Sequence, residues 1–117
     1  PSALVQRSLL PRGIAGHLCP NALLDSGYRL DDVLGLGFGV LTTVTLTVEQ
    51  AETVTARGAR AVRVAPDSEL ARWLESHRVT AAVVRPDRTV LTAGRDLDTV
   101  CRAVPVFALH HAHHGED

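Results

Sequence analysis

Residues 39–46, Gly-Val-Leu-Thr-Thr-Val-Thr-Leu, run straight into Thr47-Val48-Glu49-Gln50. That junction excludes most folds. The β-branched run reads as a central strand, because branched side chains suit a pleated surface better than a helix. The four residues after it form a capping box, in which a hydroxyl and an amide each satisfy a free backbone donor at a helix start. A strand therefore ends where a helix begins, and the helix is predicted over residues 48–57, stopped by Gly58. Arg60-Ala61-Val62-Arg63-Val64 then alternates polar and apolar, the pattern of a second strand with its arginines toward solvent or a partner. Strand, helix and strand in this order predict a right-handed crossover between parallel strands.

The second half of the chain closes the unit. Pro66-Asp67-Ser68 ends the second strand and caps a second helix, where Leu70, Trp73, Leu74 and His77 recur at helical spacing. Ala81 to Val84 reads as a third strand. Arg85-Pro86-Asp87-Arg88 is a tight turn with proline pre-set for its second position, and Thr89 to Thr92 returns as a fourth strand. Asp96 caps a last helix with Leu97, Val100, Cys101 and Val104 along one face. The predicted class is α/β, a sandwich with a mixed four-stranded sheet and flanking helices. This order of elements resembles a thioredoxin-like core, which implies strand order 2-1-3-4. Residues 1–38, punctuated by proline and glycine, read as an irregular N-terminal arm or linker packed on the domain. One helical turn is predicted at residues 30–34, with Asp31 and Asp32 facing its free backbone donors and Gly35 stopping it. The domain proper is expected over residues 39–107, and residues 108–117 as a disordered histidine-rich tail.

Composition narrows the function. With 12 basic and 13 acidic side chains the formal charge is -1, so bulk charge supports neither nucleic acid nor an anionic membrane as a partner. Every basic side chain other than histidine is arginine. No apolar stretch approaches the roughly 20 residues of a membrane span, and no signal peptide is visible. Two cysteines, Cys19 and Cys101, make no metal pattern; a reduced, cytoplasmic protein is the expectation. The four aromatic residues are too few for a base-stacking platform.

Chemistry is hard to place on this chain. A thioredoxin-like enzyme holds its thiol where the first strand meets its helix, since a helix N-terminus lowers a thiol pKa. Here that place reads Leu46-Thr47-Val48-Glu49-Gln50, without cysteine. Such enzymes also carry a proline before the hairpin, where this chain has Arg78-Val79-Thr80-Ala81. Cys101 reads as a small buried hydrophobe. His110, His111, His113 and His114 have metal-like spacing but lie at the end of the sequence, so no physiological metal site is expected. His77 has no nucleophile to serve. Gly35-Leu36-Gly37-Phe38-Gly39 precedes its strand, the wrong order for a dinucleotide fingerprint. No catalytic, cofactor-binding or metal residue is assigned.

Two motifs carry a family resemblance. The first is Asp25-Ser26-Gly27, Leu30, Asp32, Val33-Leu34-Gly35 and Gly37-Phe38, preceded by Gly16 and Pro20. The second is Val83-Val84-Arg85-Pro86-Asp87, preceded by Trp73-Leu74. Together they resemble the C-terminal domain of FAD-dependent aromatic-ring monooxygenases, nearest to the 3-(3-hydroxyphenyl)propionate, phenol and polyketide hydroxylases. The resemblance spans residues 13–107. It departs at Leu18, where the family often has arginine, and at Asn21, where it often has histidine. It implies a thioredoxin-like domain without redox cysteines, after FAD-binding and substrate domains that hold the FAD, the NAD(P)H reaction and the hydroxylation. This chain alone is then inactive and holds no cofactor. Its partners are those upstream domains of the same polypeptide, with a homodimer as a further option. Tyr28, Arg29 and Leu36 of the arm are the candidate interdomain contacts. The alternative from another class is a stand-alone binding or dimerisation module using an exposed edge strand. A third reading, a divergent thiol enzyme using Cys19, requires a strongly depressed thiol pKa.

Overall fold

The computed structural model describes residues 14–24 and 26–106, and the histidine-rich tail lies outside them. Among these residues the chain forms helix α1 (Leu30–Leu34), strand β1 (Gly39–Thr42), α2 (Val48–Ala56), β2 (Arg60–Arg63), α3 (Glu69–Ser76), β3 (Ala81–Val84), β4 (Val90–Gly94) and α4 (Leu97–Arg102). The sheet order is β2-β1-β3-β4. β1 and β2 are parallel, with Gly39 beside Arg60, while β1–β3 and β3–β4 are antiparallel. The α/β class, the strand order and the thioredoxin-like succession are those expected from the sequence.

The pleat divides the core in two. On one face Leu41, Ala82 and Val84 pack against Leu70, Ala71 and Leu74 of α3, Leu30 and Leu34 of α1, and Ile14, Cys19 and Ala22 of the arm. On the other, Val40, Ala81 and Val83 pack against Val54 of α2 and Val100, Cys101 and Val104 at α4. Alternate residues of one strand point to opposite faces, so β1 and β3 are buried on both. Cys19 and Cys101 belong to these two separate clusters, and both are free thiols.

Helix starts match the sequence closely. The Thr47 hydroxyl accepts from Gln50 N–H at 3.1 Å while the Gln50 amide oxygen accepts from Thr47 N–H at 2.9 Å. Ser68 and Asp96 cap α3 and α4 by accepting from Ala71 and Asp98 N–H. His77, half-buried, ends α3, its ring edge-on to those of Trp73 and His17 at 6.1 Å.

Two strand boundaries and the character of the arm differ from expectation. β1 stops at Thr42 instead of reaching residue 46, because the buried Thr42 hydroxyl takes over the backbone of Val44, accepting from its N–H and donating to its carbonyl. β4 begins at Val90 and runs to Gly94, displaced by an irregularity in the register opposite Val83 and Val84. The arm is also more regular than its composition suggests. Gly16 N–H donates to Val90 O, Val90 N–H to His17 O and Cys19 N–H to Arg88 O, which pairs the arm with the outer edge of β4.

Arg78, after α3, has φ of 60°. Its N–H donates to Glu75 O and Val79 N–H donates to Leu74 O, so it occupies the left-handed position that glycine usually takes at a helix end. Its exposed side chain makes no bond among the described residues that the substitution would remove. Arg78→Gly should therefore raise stability by about 1 kcal/mol, read as a higher urea midpoint with an unchanged slope.

Candidate docking face

Asp31, in α1, and Arg88, in the β3–β4 turn, lie 57 residues apart in sequence and meet in space. The turn explains how. Arg88 N–H donates to Arg85 O at 2.8 Å, Arg85 N–H to Thr89 O at 2.8 Å, and the Asp87 carboxylate accepts from Thr89 N–H at 3.0 Å. This last bond, with smaller help from Arg85 at 3.2 Å, holds the Asp87 carboxyl below its ordinary range. Closing the hairpin this way puts Arg88 at φ 72°, a left-handed conformation that costs a non-glycine residue about 1 kcal/mol.

The cost is offset by the side chain. Arg88 Nε donates to Asp31 Oδ1 at 2.5 Å and Nη2 donates to Gly35 O at 2.6 Å, while Nη1 donates to Pro86 O at 3.1 Å. A guanidinium thus sits at the C-terminal end of α1, where the free carbonyls carry partial negative charge. The other end of α1 is fixed by Asn21, whose Oδ1 accepts from Asp31 N–H at 2.9 Å and whose carbonyl accepts from Arg29 Nη1 at 3.1 Å. Asp32 bonds back to Arg29 N–H at a loose 3.4 Å. Asp31 therefore does more than face the helix start.

Around α1 lie the three candidate contacts. Tyr28 is 63% exposed and Leu36 94% exposed, while Arg29 is exposed beyond its bond to Asn21. Tyr28 and Arg29 stand at one end of α1 and Leu36 past the other, so they do not converge on one point. The loop carrying Tyr28 is a small hairpin, with Leu24 N–H donating to Tyr28 O and Leu30 N–H to Ala22 O. Leu23 and Leu24 of this loop, with Val33 of α1, face Val62 of β2 across a cleft of about 340 Å³. Sequence reasoning singled out Tyr28, Arg29 and Leu36, and it gave no site role to Arg88, Asn21 or this cleft. The signal for Arg88 was its place as fourth residue of a short hairpin turn, where a left-handed residue is common and arginine unusual.

Thiol chemistry finds no support here. Burial pushes the Cys19 thiol up to about 12, against the partly offsetting charge of Arg88. That is opposite to the depression a nucleophilic Cys19 requires. Burial also pushes Cys101 up. Among the described residues no group of three or more His, Cys, Asp or Glu is placed to hold a metal, and no helix is long and apolar enough to cross a membrane.

A family model, the HcaD C-terminal domain, matches residues 23–105, and the chain belongs to that family. The match agrees with the resemblance to the C-terminal domain of FAD-dependent aromatic-ring monooxygenases and makes the chain a domain of a larger oxidoreductase-like protein. No curated protein and no solved structure matches it.

Arg88→Ala should cost about 2 kcal/mol, since it strips charge-assisted bonds from α1 and keeps the backbone strain. Arg88→Gly should cost about 1 kcal/mol less because the strain is relieved, an order that chemical denaturation of both variants can check. Neither thiol should react appreciably with a thiol-specific reagent at pH 8 in the folded chain, whereas both should react once urea unfolds it.

Proposed function

We propose that this chain serves as the non-catalytic C-terminal structural domain of an FAD- and NAD(P)H-dependent monooxygenase acting on a phenolic or other aromatic substrate. One observation carries the reading. The two motifs behind the family resemblance, residues 25–38 and residues 83–87, are separate in sequence yet are bridged by Arg88, the residue that follows the second, which donates to Pro86 O of one and to Gly35 O of the other. Their joint presence then has a physical reason: each supplies a carbonyl acceptor to the same guanidinium. The place of a redox thiol, meanwhile, is taken by Thr47 and Gln50, whose polar groups are spent on the start of α2. Gln50 also donates to Asp98 at 2.7 Å, tying α2 to α4. The flavin chemistry on this reading belongs to upstream domains, with the cofactor carrying the oxygen transfer and the protein orienting it. This domain contributes architecture.

A stand-alone dimerisation module is favoured by one feature alone, the open edge of β2. Cell extract probed with an antibody to this domain separates the two. The proposal expects a polypeptide several times longer, on the order of 50 kDa, that co-purifies with yellow flavin absorbance. A polypeptide no longer than these 117 residues, free of flavin, would overturn it.

A further inference from the structure

Among the described residues β2 is an edge strand, and its outer side has both shape and charge. Arg60 N–H donates to Phe38 O at 3.1 Å and Val64 N–H donates to Thr42 O at 2.9 Å, so residues 60, 62 and 64 spend their backbone groups on β1. Backbone groups of successive strand residues point to opposite edges, so those of Ala61 and Arg63 face away from the sheet. Beside this edge lies the cleft of about 340 Å³, lined by Val62 and Leu70 on the strand side and by Leu23, Leu24 and Val33 across it. Arg60 and Arg63 also line it, and among the described residues no carboxylate does. Both arginines are exposed, and neither side chain has a hydrogen-bond or ion-pair partner among the described residues.

From these features we propose that β2 receives an extended acidic segment as a fifth strand, contributed by a preceding domain of the same longer protein. The segment's backbone pairs with Ala61 and Arg63. An apolar side chain enters the cleft beside Val62, and carboxylates on the two faces of the segment meet the guanidinium groups of Arg60 and Arg63, which the pleat places on opposite faces of β2. Strand addition of this kind draws affinity from main-chain bonds and selectivity from alternate side chains. A second copy of this chain fits poorly, because two β2 edges would gather four guanidinium groups along one short interface. The source of the segment rests on the proposal above that the chain is the C-terminal domain of a longer enzyme.

Amide hydrogen exchange tests it on the intact longer protein and on the 117-residue chain alone. Residues 60–64 should exchange about tenfold or more slowly in the intact protein. The double variant Arg60→Glu, Arg63→Glu should abolish that difference, and Arg60→Lys, Arg63→Lys should keep most of it. Near-ultraviolet circular dichroism from Trp73 checks that each variant is folded. Equal exchange in both proteins would overturn the proposal, as would slowing untouched by charge reversal. Slowing in the isolated chain that grows with its concentration would overturn it in favour of a second copy. Flavin absorbance of the same sample keeps the two ideas apart. Slowing without flavin sinks the monooxygenase reading and leaves the docking surface, while flavin without slowing sinks the surface alone.

Discussion

A single guanidinium ties the short helix of the arm to the far hairpin of the sheet. Arg88 reaches from the β3–β4 turn to Asp31 and Gly35 and so pins α1 over the sheet. Beneath α1, Leu30 and Leu34 cover the face formed by Leu41, Ala82 and Val84. The backbone of Arg88 simultaneously accepts from Cys19 N–H, so the residue holds the arm at two places. Packing around α1 is close: a Cβ on Gly39 would come within 2.5 Å of the Leu34 side chain. The hydrophobic face and the ionic joint therefore support each other. So short a helix is unstable by itself, and α1 is held by the buried Leu30 and Leu34 and by Asn21 together with Arg88.

The opposite face uses the same device. Arg57, at the end of α2, donates from Nη1 to the carbonyls of Arg102 and Val104, where α4 ends. Both layers are thus locked by an arginine laid on a helix C-terminus. A guanidinium suits this task because its planar fork holds several carbonyls at once, which a lysine ammonium does less well. The absence of lysine from the sequence becomes intelligible at these two positions; elsewhere nothing in the structure explains it.

Chemistry and architecture divide cleanly in this domain. Every buried side-chain polar atom among the described residues has a partner, and the two thiols are buried in apolar clusters with raised pKa values. What stays unspent is on the surface: the arginines and backbone edge of β2, the loop that carries Tyr28, and the exposed Leu36. Unspent groups of this kind serve association better than catalysis.

Much of the fold was legible because its determinants are local. The capping box at Thr47 and Gln50, the caps at Ser68 and Asp96, and the proline turn at 85–88 act within four residues, and each lies where the pattern put it. Boundaries were missed where no pattern marks the cause: the Thr42 hydroxyl took over the backbone of Val44, and a register irregularity opposite Val83 and Val84 displaced β4. The arm looked irregular because its order comes from pairing with β4 and from Asn21 and Arg88, none of which leaves a periodic trace. Local propensity and hydrophobic period by themselves determined the elements and their order along the chain, while the strand order of the sheet followed from the resemblance to a thioredoxin-like core. Only the tertiary structure decided which charges are joined, which edge stays open and where the cleft lies, because those depend on contacts between residues tens of positions apart.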